Sequence, residues 1–241
     1  GAGITQTGSR TLRNALVVFQ LTIACMLLSG ALLIVKQLRF LETRPLGFQK
    51  ELIINVPLYS NNINGIFRQS DSTFRSKLEV LRNEIESQSG VMGTALSSTA
   101  PGLGAMYRGT VPDGFSDDAV MFIANLSVDF DFVKTYGIEL VAGRAFDESF
   151  GTDAQEAFLV NETAVREFNW ETPDAALGKT INREGKIGKV VGVVRDFNFS
   201  SMTTPISALV LEVGPNQYNT LSVRFENREI TGTLAAIEAA W

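Results

Sequence analysis

The sequence predicts an α+β chain: one transmembrane helix followed by a two-lobed domain outside the membrane. Three observations predict it. Ala15–Val35 is a run of 21 residues without a charge. Thr73–Ser89 and the segment from about Glu229 each repeat apolar residues at i, i+4, i+7 and i+11, the spacing of one helix face. Short Val- and Ile-rich stretches bounded by Gly and Pro fill the interval between them, as strands do.

The apolar run comes first. At about 1.5 Å per residue, Ala15–Val35 reaches about 30 Å, the thickness of a bilayer's hydrocarbon core. Its markedly polar side chains are Gln20, Thr22 and Ser29, with Arg10 and Arg13 before it and Lys36 and Arg39 after it. A buried core helix keeps a polar stripe, which this run lacks. A signal core is shorter and ends at a small-residue cleavage site. Cys25 lies four residues after Leu21, one place too far for a lipoprotein cleavage site, and reads as a small apolar residue within the span. The near flanks carry two cations each, so charge does not orient the helix.

Composition narrows the function classes. The net charge of −5 and pI near 4.9 argue against nucleic acid, whose phosphates need a surplus of Lys and Arg. The chain has no His, which removes the commonest general base and metal ligand. Its single Cys lies in the span, which leaves no disulfide, thiolate zinc site or thiol nucleophile for the domain.

The elements follow in order. Residues 1–13 read as a cytoplasmic end or a cloning remnant, 14–38 as the transmembrane helix and 39–50 as a juxtamembrane connector. Pro45 and Gly47 stop the helix. Leu52–Val56 reads as a strand and Tyr59–Gly65 as a loop. Thr73–Ser89 is an amphipathic helix with Phe74, Leu78, Leu81 and Ile85 on one face. Asp71 or Ser72 is its cap, and Gly90 its end. Arg75, Lys77, Glu79, Arg82, Glu84 and Glu86 read as its solvated face. Val91–Ser97 is a strand, and Ser98–Ser116 is loop-rich, the boundary where a second lobe begins.

Val120–Val128 then reads as a strand, Asp131–Tyr136 as a short helix and Ile138–Val141 as an extended piece before Gly143. Phe158–Val160 is strand-like, and Glu162–Phe168 is a helix capped by Asn161. Lys186–Phe197 gives the strongest strand signal, followed by Ala208–Val213 and Leu221–Phe225. The closing helix carries Ile230, Leu234, Ile237 and Trp241. The two helical patterns match, which suggests two similar strand–helix units side by side with the middle lobe inserted. The chain stops inside that helix and reads as a piece of a longer membrane protein.

The candidate chemical motifs fail individually. Gly178-Lys179-Thr180 has Pro173 where a phosphate loop needs Gly. Gly102-Leu103-Gly104 lacks the third glycine of a dinucleotide site. Asp117, Asp118, Asp129 and Asp131 have no calcium-loop spacing and read as solvated charge or helix caps. Ser200-Ser201 has no His to activate a nucleophile. The reading is a non-enzyme without cofactor or metal. From the residues alone, two classes stay open: the external domain of a transport complex, and the extracytoplasmic sensor domain of a membrane signalling receptor.

A family resemblance then enters, carried by ordered motifs. Arg13–Leu21 (RNALVVFQL), Leu46-Gly47-Phe48, Pro101-Gly102, Gly137–Arg144 (GIELVAGR), Asn161–Ala164 (NETA), Leu177-Gly178-Lys179 and Val190–Ser201 (VVGVVRDFNFSS) occur in the order and spacing of MacB-like and FtsX-like ABC transporter permeases. The chain resembles that family from Arg13 onward. The resemblance implies a periplasmic core domain over 51–241. Its membrane-proximal lobe of paired βαβ units would take about 51–98 and 186–241, and its inserted mixed α/β lobe about 99–185. It also implies an inner-membrane permease with its main domain in the periplasm. The implied partners are a cytoplasmic ABC ATPase subunit, the other permease half or a second copy, a periplasmic adaptor or substrate protein, and membrane lipid. The implied work is mechanotransmission serving efflux, lipoprotein release or control of cell-wall hydrolases. Leu46, Gly47 and Phe48 are the expected coupling residues. Gly143, Arg144, Asn161, Glu162, Asp196 and Phe197 are expected to hold the fold, Gly143 in a turn and Arg144 and Asp196 as ion-pair or capping partners.

Overall fold

The computed structural model describes residues 5–43, 47–48, 53–58, 72–201 and 203–226. It divides into two units, residues 1–45 and 46–241. The first is a helix, α1 (Thr5–Thr43), whose Leu12–Phe40 stretch contains an 18-residue window of mean hydropathy 2.3 and is long and apolar enough to cross a membrane. Within it, Thr22 Oγ1 donates to the Val18 carbonyl, so the helix's own backbone satisfies that hydroxyl.

The second unit is sheet-rich. Its strands are β1 (Ile53–Pro57), β2 (Val91–Ser97), β3 (Met106–Pro112), β4 (Met121–Val128), β5 (Leu140–Gly143), β6 (Ala157–Asn161), β7 (Thr180–Arg183), β8 (Lys186–Val194), β9 (Leu209–Val213) and β10 (Thr220–Phe225). Its helices are α2 (Ser72–Glu86), α3 (Phe132–Tyr136), α4 (Asp153–Glu156), α5 (Glu162–Glu167) and α6 (Pro173–Ala176). The sheet runs β1-β10-β2-β4-β3-β7-β8-β6-β9, and β9 returns to pair with β4. Six strands, β4, β3, β7, β8, β6 and β9, therefore close into a ring. Two of its pairings are parallel, β6 with β8 and β4 with β9.

Alternation along each strand sets two cores. In-register partners share a face, and Ile123, Phe158, Val160, Ile181, Val190 and Val210 pack together on one face of the ring, with Phe168 and Trp170 after α5 completing that cluster. Leu126, Val128, Leu159, Leu209, Leu211 and Val213 point the other way, against Phe132 and Tyr136 of α3 and against Phe197 and Phe199. Every residue of β9 is buried because both of its faces are covered. A third cluster lies between α2 and the β1–β10–β2 strands, with Leu78 and Ile85 on the helix and Leu96, Leu221 and Val223 on the sheet. Of the predicted face, Leu78 and Ile85 are thus buried and Leu81 is partly buried, while the Phe74 side chain lies outside the described residues.

Where the structure departs from the sequence reading, local signals were weak. Within the stretch read as loop, Met106–Pro112 is β3. Its Gly109 and Pro112 mask the Tyr, Thr and Val that pair with β4 and β7. Helices α4 and α6 are single turns too short to announce themselves. β8 stops at Val194, where the chain turns away toward Phe197. β8 and β9 pair with β4, β6 and β7 in the ring, so the sequence-drawn lobes share one sheet. The Tyr59–Gly65 loop, Asp71 and the closing helix from Glu229 lie outside the described residues.

One end of the ring is charged. Glu212, only 2% exposed, sits in register with Ser127 and Phe158, and meets Arg183 and Lys186. Lys186 Nζ is 3.3 Å from Glu212 Oε2 and donates to the Ala154 carbonyl at 3.0 Å. Burial lowers the pKa of both Arg183 and Lys186, and the Glu212 charge opposes that shift. Breaking a buried pair strands its partner's charge and costs about 3–5 kcal/mol. Replacing Glu212 by Ala should therefore lower the unfolding free energy by about that amount in urea titrations. Arg195→Ala, which breaks the exposed pair with Glu139, should leave the midpoint close to that of the wild type.

Candidate functional site

The chain enters its second unit at Gly47 and Phe48, and the structure seats both on one spot. Gly47 adopts φ of 79°, and a Cβ there would lie 2.6 Å from the Asp196 carbonyl oxygen and 2.8 Å from the Phe197 Cα. Only glycine permits so close a backbone contact in that conformation. Phe48 then sets its ring edge-on to Tyr136, at 5.7 Å, and to Phe197, at 6.4 Å. Phe197 continues to Phe199, at 6.1 Å, and Tyr136 to Phe132, at 4.8 Å. Leu46 lies outside the described residues.

Asp196 is held from its other side by α5. Its carboxylate accepts from Thr163 N at 2.9 Å, Thr163 Oγ1 at 2.7 Å and Arg166 Nη2 at 3.0 Å. Glu162 Oε2 in return accepts from Asp196 N at 3.0 Å. This is the reciprocal logic of a capping box, assembled from residues more than thirty positions apart. Asn161 caps the same helix, its Oδ1 accepting from Ala164 N and Leu209 N, both at 2.9 Å. Its Nδ2 donates to the Ser207 carbonyl at 3.0 Å. The motif residues Gly47, Phe48, Asn161, Glu162, Asp196 and Phe197 thus meet around one turn.

Gly143 and Arg144 act elsewhere, along β5 and β8. A Cβ on Gly143 would lie 2.3 Å from the Val191 carbonyl oxygen, and the residue has φ of 71°. Arg144 grips Asp153 bidentately at 2.6 and 2.8 Å and stacks 3.9 Å from the Phe150 ring centroid. The guanidinium in turn holds the Asp153 carboxyl below the usual carboxylate range. Both residues lock the segment between β5 and α4.

Two groups were misread from sequence. The sequence reads Arg82 as part of a solvated face and Asp129 as solvated charge or a helix cap. Asp129 is in fact 5% exposed, with Arg82 Nη1 at 3.1 Å from its Oδ2. Arg82 also ion-pairs with Asp131 and Glu86, and its Nε donates to Thr94 Oγ1 at 2.8 Å. One side chain therefore ties α2, β2 and the turn before α3. Nothing local distinguishes Arg82 from its charged neighbours on α2, because its partners lie up to 49 residues away.

Burial raises the Asp129 carboxyl from 3.8 to about 7 despite the nearby Arg82. The folded state then binds a proton that the unfolded chain has released. This contribution to stability is full below the unfolded value and is lost as pH rises toward 7. The urea midpoint should fall between pH 4 and pH 7, and Asp129→Asn should flatten that slope. Asp196→Ala, which uncaps α5 and strips the junction of its acceptors, should cost about 1–3 kcal/mol in the same assay.

This arrangement can be set beside known proteins. The profile of the MacB-like periplasmic core domain matches residues 15–240. The periplasmic region of MacB from Actinobacillus actinomycetemcomitans aligns with a TM-score of 0.50 and 12% identity, over 80% of this chain and 82% of its own. The extracellular domain of the noncanonic ABC-type transporter YknZ from Gram-positive bacteria aligns with a TM-score of 0.50 and 15% identity, over 75% and 88%. At these identities the likeness is one of fold. A search of curated proteins gives no match. With the family profile spanning nearly the whole chain, this protein belongs to the MacB-like periplasmic core domain family of ABC transporter permeases.

Proposed function

We propose that the chain is a mechanical transmitter. In this reading α1 crosses the inner membrane and the sheet-rich unit stands in the periplasm. A cytoplasmic ABC ATPase drives the movement, and the connector over 39–50 delivers it to the external domain. The supporting observation is the seat of Gly47 on the Asp196–Phe197 backbone, where no side chain intervenes. A displaced connector must carry that turn with it, because packed interiors pass on strain. The other permease half or a second copy completes the membrane unit, and a periplasmic adaptor or substrate protein receives the movement. Efflux, lipoprotein release and control of cell-wall hydrolases are the three outputs this reading allows. The proposal keeps a membrane-proximal lobe, 51–98 with 186–241, and an inserted lobe, 99–185, joined through the one sheet they share. It also includes the absence of catalysis and of any cofactor.

The test is nucleotide dependence. The membrane protein carrying this chain would be reconstituted with its ATPase in nanodiscs, with one spin label at the exposed Arg195 beside the turn and the other on the lipid headgroups. The distance distribution should change between the nucleotide-free and ATP-trapped states. Identical distributions in both states would sink the transmission reading. Phe48→Ala should lower substrate-stimulated ATP turnover about tenfold, equivalent to about 1.4 kcal/mol of lost coupling.

A further inference from the structure

The junction makes two ring contacts, with Phe197 beside the Asp196 cap and with Tyr136 of α3. Helix α3 is only five residues long, yet its bonds reach all three strands of the β1–β10–β2 sheet. Thr135 Oγ1 donates to the Thr94 carbonyl of β2 at 2.9 Å. Arg224 of β10 donates to the Thr135 carbonyl at 3.2 Å. The Tyr136 hydroxyl donates to Asn55 Oδ1 of β1 at 2.9 Å and, with its one proton so committed, accepts from Ser222 Oγ of β10 at 2.8 Å. Asn55 and Ser222 face each other in the β1–β10 register. One phenol oxygen thus bridges a ladder pair, while the ring of the same side chain carries Phe48 on its edge.

We infer that Tyr136 is the positioning residue through which movement of the connector reaches the three-stranded sheet, in addition to the Phe197 branch. The path is Phe48 to the Tyr136 ring, then from its hydroxyl to Asn55 and Ser222. Its parts suit that work. Tyr136 is 1% exposed, Ser222 is fully buried, and a buried hydrogen bond resists replacement by water. Burial keeps the phenol protonated, with its pKa raised to about 12, so the bridge persists across physiological pH. The Phe197 branch instead ends on α5 and the ring, through the Asp196 cap. This inference rests on the transmission reading for its purpose but not for its test, which needs neither ATPase nor nucleotide.

The experiment is a double-mutant cycle read by amide hydrogen exchange on the full chain in nanodiscs. Phe48→Ala should speed exchange in β1 and β10 about tenfold, while β6 in the ring changes much less. Tyr136→Phe keeps the ring and deletes the bridge. In that background, Phe48→Ala should add little further exchange in β1 and β10. A purely structural Tyr136 would give independent effects that multiply. Multiplying effects, or a response of β6 equal to that of β1, would overturn the assignment. Should Tyr136→Phe fail to fold, Ser222→Ala removes one arm of the bridge and leaves Asn55. It should abolish the extra Phe48→Ala response in β10 and preserve it in β1. Equal responses in both strands would count against the path.

Discussion

Closure of the ring rests on one parallel pairing, Ala124–Val128 of β4 against Leu209–Val213 of β9. The strands are more than eighty residues apart in sequence, and no short connection sets their register. Side-chain alternation sets it instead. Ala208, Val210 and Glu212 must face the cluster around Phe158, while Leu209, Leu211 and Val213 face α3. A slip of one residue would turn Glu212 into the apolar core beside Phe132 and bring Leu211 to Arg183, so the buried charge acts as a register key. Pairing of such separated segments is also slow to form, because chain entropy is lost before the contacts are made.

The same logic explains the turn at Asp196. The residue leaves β8 just as the strand ends, and its backbone is exposed to the arriving connector. Glu162 and Thr163 satisfy its N–H and carboxylate from α5. Without those partners the turn would hold a half-buried charge at the place where Gly47 needs a rigid surface. Packing and capping are one arrangement here: the residue that caps a helix also presents the backbone on which the connector rests.

Much of this was legible before any coordinates. The Asn161 cap was predicted because Asn before Glu-Thr-Ala is a local signal, satisfied within three residues. The buried face of α2 followed from spacing alone. The family motifs located Gly47, Asp196 and Phe197 but not their meeting, since that contact spans about 150 positions. Arg82, Asp129 and Tyr136 were invisible for a related reason. An arginine among charged neighbours and an aspartate after a strand have bland local readings, and only long-range pairing makes them structural. Strand β3 was missed because glycine and proline are read as breakers, although Gly109 sits against Phe122 and Val120 and Pro112 lies at the strand's end.

The described sheet has few places where another strand can join. Ring closure gives β4, β3, β7, β8, β6 and β9 partners on both sides, while β5 pairs with β8 alone and β2 meets β4 at one residue pair. At the other end of the path β1 is five residues long and ends in Pro57, which has no N–H to offer a ladder. Strand addition is therefore a poor route to complexes on the ring, whose partners are left with side-chain surfaces. Such surfaces diverge readily from one relative to the next while the backbone framework stays constant. A shared fold at 12–15% identity fits that constraint.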